Sequence, residues 1–391
     1  MAKMSLRLIP SLKDIPKAQW DRLANPAGQP ANPFLRWDFL YALEATQCVD
    51  GETGWQSLHL VAEDADGALV GAVPLYLKSH SLGEYVFDHG WAHAYEQAGG
   101  RYYPKLQAAV PFTPVPGARL LAQDDDTRTA LARALCSVAH EVQASSVHVT
   151  FASGGDIKTL SDQGFAHRID VQYHFQNPGY ENYDNFLASL SSRKRKNLRK
   201  ERARAQQGLE IVHLSGADLA SEHWDAFFAF YQDTGQRKWG QPYLTRAFFD
   251  HIGQTMAEDI LLIMARDNGQ WIAGALNFIG GDALYGRYWG CTEQRPNLHF
   301  ELCYHQAVEA AITRRLARVE AGAQGEHKIA RGYVPVLTHS AHWFGDSGLH
   351  EAVAAYLDHE RAQVEQNVIT LDAFTPFRKS APDLSLPSKG E

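Results

Sequence analysis

The sequence predicts a mixed α/β protein built from two tandem copies of one unit. Two observations carry this. First, an apolar hairpin occurs twice: residues 58–62, a turn at 64–67 and residues 68–77 in the first half, then 260–265, Asp267-Asn268-Gly269 and 271–278 in the second. The match extends to Gly71-Ala-Val against Gly274-Ala-Leu. Second, the same order follows each hairpin: a helix (126–143; 300–316), a strand (147–151; 318–321) and a glycine–aromatic step (Gly164-Phe165; Gly332-Tyr333). The copies meet near Asn177-Pro178-Gly179. This divides the chain into a first domain of residues 1–176, a second of 177–380 and a tail of 381–391.

A chain of 391 residues exceeds the usual size of one hydrophobic core, in keeping with two domains. The net charge of −8 argues against a general nucleic-acid coat and leaves room for one local basic patch. No run of apolar residues is long enough for a transmembrane helix, and the first residues lack an apolar leader. Cys48, Cys136, Cys291 and Cys303 are scattered without metal or redox spacing. Reduced thiols in a cytoplasmic protein are therefore expected.

In chain order, residues 10–23 and 34–45 read as helices ahead of the first hairpin. The first copy is about 35 residues longer than the second, and the excess falls in an inserted loop at about 78–125. It is too aromatic for disorder, and long insertions in compact domains tend to be functional. Helix 126–143 carries Leu131, Leu135, Val138 and Val142 on one stripe; a strand at 166–175 closes the copy. The second copy opens with eight basic residues in the twelve from Arg193 to Arg204, opposed only by Glu201. A strand at 284–290 breaks at Arg295-Pro296-Asn297, which suits the turn before helix 300–316. A polar loop, Gly322-Ala-Gln-Gly-Glu-His-Lys328, then precedes Arg331-Gly332-Tyr333.

Three groups of residues are candidates for chemistry. Arg193, Arg195, Lys196, Arg199, Lys200 and Arg202 form a basic helical face that suits phosphates; the plainer reading is a solvated face. In the insertion, Asp88, His89, Trp91 and Tyr95 combine rings and polar groups as a sugar or peptide groove requires, or they pin the loop as a satellite cluster. Trp239, Tyr243, Tyr288 and Trp289 are expected on the other wall, and Trp239, Arg287 and Trp289 among the substrate-binding residues. In the 322–328 loop, His327 has the pKa range of a general base, with Glu326 as second base or anchor of an amine. Lys328 and Arg331 suit developing negative charge. Glu301 and His305 stand one helical turn apart as a further catalytic pair reaching the same cleft. The loop and the 88–96 stretch are expected to face one another. The pairs His299/Cys303 and His339/His342 fall short of the three or four ligands zinc needs, so no metal site is expected.

Four blocks resemble a known family. They are 87–96 with 100–105, then 191–202, then 285–290 with 298–304, and last 322–328 with Arg331-Gly332-Tyr333. The order of elements is similar to GNAT acyltransferases. Two units with a basic helix opening the second resemble the FemA/FemB/FemX peptidoglycan aminoacyltransferases. The blocks are similar, more closely, to the bacterial FemAB-like N-acyltransferase family of peptidoglycan biosynthesis or recognition. The resemblance covers most of the chain and implies tandem GNAT-like domains and acyl transfer to an amine, such as one on a cell-wall precursor. One departure bears on the donor. Where GNAT enzymes hold acetyl-CoA on a glycine-rich turn, this chain has Gln294-Arg-Pro-Asn-Leu-His-Phe300, with a proline and no glycine. Aminoacyl-tRNA is therefore expected over acetyl-CoA, with tRNA as a partner of the basic helix. The other class of function open to the sequence is non-catalytic recognition of peptidoglycan fragments or nucleic acid.

Overall fold

The computed structural model describes residues 4–238, 242–322 and 325–378. They pack as two units. Unit 1 comprises the residues up to Asp170 with Leu337–Glu365, and unit 2 comprises Val171–Val336 with the residues from Gln366 onward. The division by packing is therefore not one cut near residue 177: a late stretch of chain belongs to the early unit.

In unit 1 the hairpin forms from strands His59–Glu63 and Leu69–Val73, inside a four-stranded sheet completed by Ser5–Ile9 and Leu121–Ala122. Residues 68–77 are a continuous apolar run that reads as one strand, yet Pro74 interrupts them. Proline has no N–H for a ladder. Beyond it, Leu75–Lys78 joins a different sheet, between Trp55–Ser57 and Lys105–Ala108. Lys105–Ala108 then runs parallel to Ser146–Val149, and residues 341–344 pair antiparallel with the latter. The helix Asp125–Glu141 starts at Asp124, whose carboxylate accepts from the Thr127 N–H. It buries Leu131, Leu135 and Val138 against Leu60, Val73, Leu106 and Val147. The insertion is not one loop, for it contains the helix His89–Gln97 and the strand Lys105–Ala108.

Unit 2 repeats the plan. Strands Glu210–Leu214, Ile260–Asp267, Gln270–Ile279 and Ala283–Cys291 form an antiparallel meander. Asn268 and Gly269 take φ 47° and 82°, the two positive values a tight Asn-Gly hairpin demands. Ala283–Cys291 then runs parallel to Arg318–Glu320, whose other neighbour is residues 174–176. The repeated glycine has the same use in both units. A Cβ on Gly71 would lie 2.7 Å from the Thr127 methyl, and one on Gly274 2.7 Å from Met264 sulfur and 2.9 Å from the Phe227 ring. Thr127 and Phe227 belong to helices Asp125–Glu141 and Ser221–Lys238, so each glycine lets a helix settle closely on its sheet. Strand Ser5–Ile9 and helices Ser221–Lys238, Arg246–Thr255 and Ser347–Asp372 are additions to the elements expected from sequence.

Several histidines are buried in these cores. Burial, with Lys105 next, lowers the His148 pKa to about 3, and burial lowers that of His174 to about 4. These rings are neutral when folded and gain protons on unfolding below their ordinary value near 6.5. Stability from this source is complete above about pH 6.5 and is lost as pH falls towards the folded values. A fall in melting temperature between pH 7 and pH 5 is the expected result of a thermal-denaturation series.

Candidate active site

In unit 2 the parallel strands separate. Their register runs Ala283↔Arg318, Leu284↔Val319, Tyr285↔Glu320 and stops, while the first strand continues to Cys291. That strand also carries a bulge: Leu276 faces Tyr288 and Asn277 faces Gly286, so Arg287 is the extra residue. Divergence opens a cleft of about 100 Å³ lined by Asn277, Gly286, Arg287, Trp289, Cys303 and Tyr304, among others. Arg287 ties its two edges. Its Nη1 donates to the Gly286 and Glu320 carbonyl oxygens at 2.9 and 3.1 Å, and its Nη2 lies 3.5 Å from Glu320 Oε2.

The polar residues expected from the 322–328 loop collect in the same unit. Lys328 is buried, and its Nζ donates to the Gly322 carbonyl at 3.0 Å. Burial first, then the nearby Arg287 charge, lowers its pKa to about 7. His327 is exposed, with Nε2 3.1 Å from the Tyr304 hydroxyl. Partial burial, then Arg331 and Lys328, hold its pKa below the ordinary histidine value, so the ring is neutral at pH 7. Burial pushes the Tyr304 pKa well up and keeps the phenol protonated. Arg331 donates to the His327 carbonyl at 2.9 Å and lies over the Phe300 ring, 3.5 Å from its centroid. Glu326 is exposed at the start of the Glu326–Arg331 turn. Ala323 and Gln324 of the loop lie outside the described residues, as does Trp239.

Glu301 and His305 are turned away from the cleft. They belong to a π-helical turn, Glu301–His305, inside the helical segment that runs from Leu298 to Thr313. Cys303 and Tyr304 face the cleft, whereas Glu301 is fully buried against the basic helix. It accepts from Arg202 Nη2 at 3.0 Å, Gln206 at 2.8 Å and Gln306 at 2.6 Å. His305 Nε2 lies 2.8 Å from Glu201, and its Nδ1 lies 2.6 Å from the Tyr183 hydroxyl. Glu201 also accepts from Arg331 at 2.9 and 2.7 Å. These groups form a saturated brace, Tyr183–His305–Glu201–Arg331, beside a second one through Arg202. Sequence reasoning did not assign Glu201 or Tyr304 a role at the site; Tyr304 had a signal in its position one turn from Phe300.

The basic helix is Ser192–Ala205. Its lone acid, Glu201, points inward, so it does not neutralise the outer face. Arg202 points inward as well, bound to Glu301 and to Glu309 at 2.6 Å. Arg195, Lys196, Arg199 and Lys200 border an open depression of about 410 Å³. Arg193, Lys196, Arg199 and Lys200 are exposed, and Arg199 meets the exposed Asp184 at 3.0 Å.

In unit 1 the insertion holds a buried charge cluster. Lys105 is wholly buried and donates to Ser81 at 2.8 Å, Glu84 at 2.7 Å and Asp88 at 2.5 Å. Asp88 also accepts from the Tyr102 hydroxyl at 2.8 Å. It therefore anchors the insertion from inside. Trp91 packs edge-on against His342, with Arg168 over its ring at 4.9 Å. Tyr95 reaches Asp346 at 3.4 Å, and His89 is exposed. His339 lies against His167, and His342 against His148, as ring pairs. Among the described residues no three His, Cys, Asp or Glu side chains gather as metal ligands, and no helix is long and apolar enough to cross a membrane.

Two mixed-sheet units, each with a parallel strand pair beside a helix, and in unit 2 a cleft where that pair parts, define a tandem GNAT-like α/β protein. The chain belongs to the FemAB-like family, described as peptidoglycan biosynthesis/recognition, whose profile matches residues 11–379. Among solved structures, that of FemX is 12% identical with a TM-score of 0.54, covering 87% of this chain and 98% of its own. A conserved protein of unknown function from Bacteroides thetaiotaomicron VPI-5482 is 11% identical with a TM-score of 0.50, covering 88% and 100%. A tandem GNAT protein from the clavulanic acid biosynthesis pathway is 12% identical with a TM-score of 0.44, covering 87% and 98%. No curated protein matches the sequence.

Proposed function

We propose that the protein is an N-acyltransferase that moves an aminoacyl group from an ester donor to an amine on a cell-wall precursor, with chemistry at the unit 2 cleft. The contact between Tyr304, which lines the cleft, and His327, just outside it, carries this reading. Attack of the amine on the ester carbonyl forms the C–N bond and develops charge on the carbonyl oxygen. We assign Arg287, which lines the cleft, to balance that charge, with protonated Lys328 near it in the same field. The amine loses its proton to the Tyr304 oxygen as the phenol passes its own to His327 Nε2. Collapse then breaks the ester C–O bond, and the departing oxygen takes a proton back along the same path. The outward cations of Ser192–Ala205 suit the phosphates of a tRNA donor.

Acetyl-CoA fits this chain poorly. At the start of the helical segment Pro296 offers no N–H, and Asn297 is left-handed at φ 67°. Arg295 is already held by Asp267 and Glu293, so carboxylates crowd the place where a pyrophosphate would sit. Calorimetry with the full chain is expected to show no micromolar binding of CoA or acetyl-CoA. The reaction itself is tested by mass spectrometry with alanyl-tRNA, acetyl-CoA and amine-bearing muropeptides. A new amide from the aminoacyl donor alone is the expected result. Transfer from acetyl-CoA would replace the donor, and muropeptide binding without any product would make the protein a recognition module.

A further inference from the structure

Asn277 shows what the cleft is built to take. Its Nδ2 donates to the Leu261 and Ala275 carbonyl oxygens, each at 3.2 Å. Two carbonyl partners fix the amide, since the flipped form would set oxygen against oxygen. Oδ1 is therefore held towards the facing strand, where a Cβ on Gly286 would lie 3.3 Å from it. The residue is fully buried, lines the cleft, and among the described residues its Oδ1 accepts no hydrogen bond. A buried acceptor without a donor is costly, and native proteins rarely leave one idle. Gly286 keeps the approach to it open.

The surroundings narrow the donor that belongs there. Among the described residues no carboxylate lines the cleft, and rings and a thiol form much of its wall. Arg287 is committed to the main chain and Glu320. A full ammonium gains little beside that guanidinium. A neutral amine, which an α-amino group becomes near its ordinary pKa of about 7.7–8.0, avoids that repulsion and still donates. At about 100 Å³ the cleft is small and suits a short side chain rather than a large one.

We infer that this cleft is a subsite for the small acyl group of the donor and that Asn277 Oδ1 accepts a hydrogen bond from its α-amino group, making the enzyme selective for aminoacyl over plain acyl donors. The inference rests on the proposed reaction, but its test separates the two. The probes are alaninamide and propionamide, which differ only in the amino group, titrated into the full chain by saturation-transfer NMR. Alaninamide is expected to bind roughly tenfold tighter, the effect of satisfying one buried acceptor. Asn277→Leu should remove the difference. Gly286→Ala, which leaves Asn277 and its two carbonyl bonds in place, should abolish it as well by filling the approach. Equal binding, no binding of either probe, or a preference that survives Gly286→Ala overturns the subsite. Selective binding without acyl transfer would sink the reaction and keep the subsite. Transfer from propionyl-tRNA as fast as from alanyl-tRNA would do the reverse.

Discussion

Replacing His327 by Gln is expected to lower turnover by about 10²–10⁴-fold, the usual contribution of a positioned general base, while the melting temperature stays nearly unchanged. The side chain is exposed, so little packing is lost. Gln also keeps a polar atom for the Tyr304 hydroxyl. The ring fills the space a side chain at 325 would need: Gly325 has φ 114°, and a Cβ there would stand 2.4 Å from His327 Cε1. The lowered pKa sets the sign of the pH dependence. A base must be neutral to act, so kcat/KM should fall on the acid side with a midpoint below the ordinary histidine value of about 6.5. Full activity of His327→Gln, or an acid limb above that value, would remove His327 from the chemistry.

The largest loss of stability is expected from Lys105→Met, about 3–5 kcal/mol in equilibrium denaturation, because it strands two buried carboxylates. Burial raises the pKa of both Glu84 and Asp88. Lys105, and then His148, outweigh burial at Asp88 and hold it well below the usual carboxylate range, whereas Glu84 stays raised. The ammonium thus protects the Asp88 charge more fully than that of Glu84. Lys78 lies 3.7 Å from Glu84, stacked on Trp55, but burial first lowers its pKa to about 7, so it is a weak substitute. Removing all three charges together, Lys105→Met with Glu84→Gln and Asp88→Asn, should restore much of the stability. A single substitution that costs under 1 kcal/mol would show the cluster to be hydrated and loosely held.

The repeated unit was legible in the sequence because its signals are local. Asn268-Gly269 can hardly avoid its turn, and Gly71 and Gly274 mark the same close helix approach. The break at Pro74 was missed: the unbroken apolar run across 68–77 reads as one strand, and only the missing N–H of the proline speaks against it. The direction of Glu301 and His305 was not legible either. A π-helical turn alters the angle between them and Tyr304, and nothing in a single sequence announces that turn. Nor could charge density reveal that Glu201 and Arg202 face inward while their neighbours face outward. That depends on Glu301, Glu309 and Arg331, about one hundred residues away or more. His327, Lys328, Arg287 and Trp289 were recognisable as residue types. Their meeting at one end of a strand pair depends on where the register stops, which is a property of the sheet.

The return of Leu337–Glu365 to unit 1 has a consequence for biosynthesis. A ribosome delivers the first stretch of unit 1, then the whole of Val171–Val336, before it supplies residues 341–344, which lie beside Ser146–Val149. At about 5–20 residues per second the early unit waits roughly ten to thirty seconds for that strand. Throughout that time it exposes an unpaired edge, the feature most open to mispairing with another chain. In the later unit residues 174–176 wait as well, but for a shorter stretch, about 140 residues, until Arg318–Glu320 is made. The strand pairing beside the unit 2 cleft is therefore made before the last pairing of unit 1.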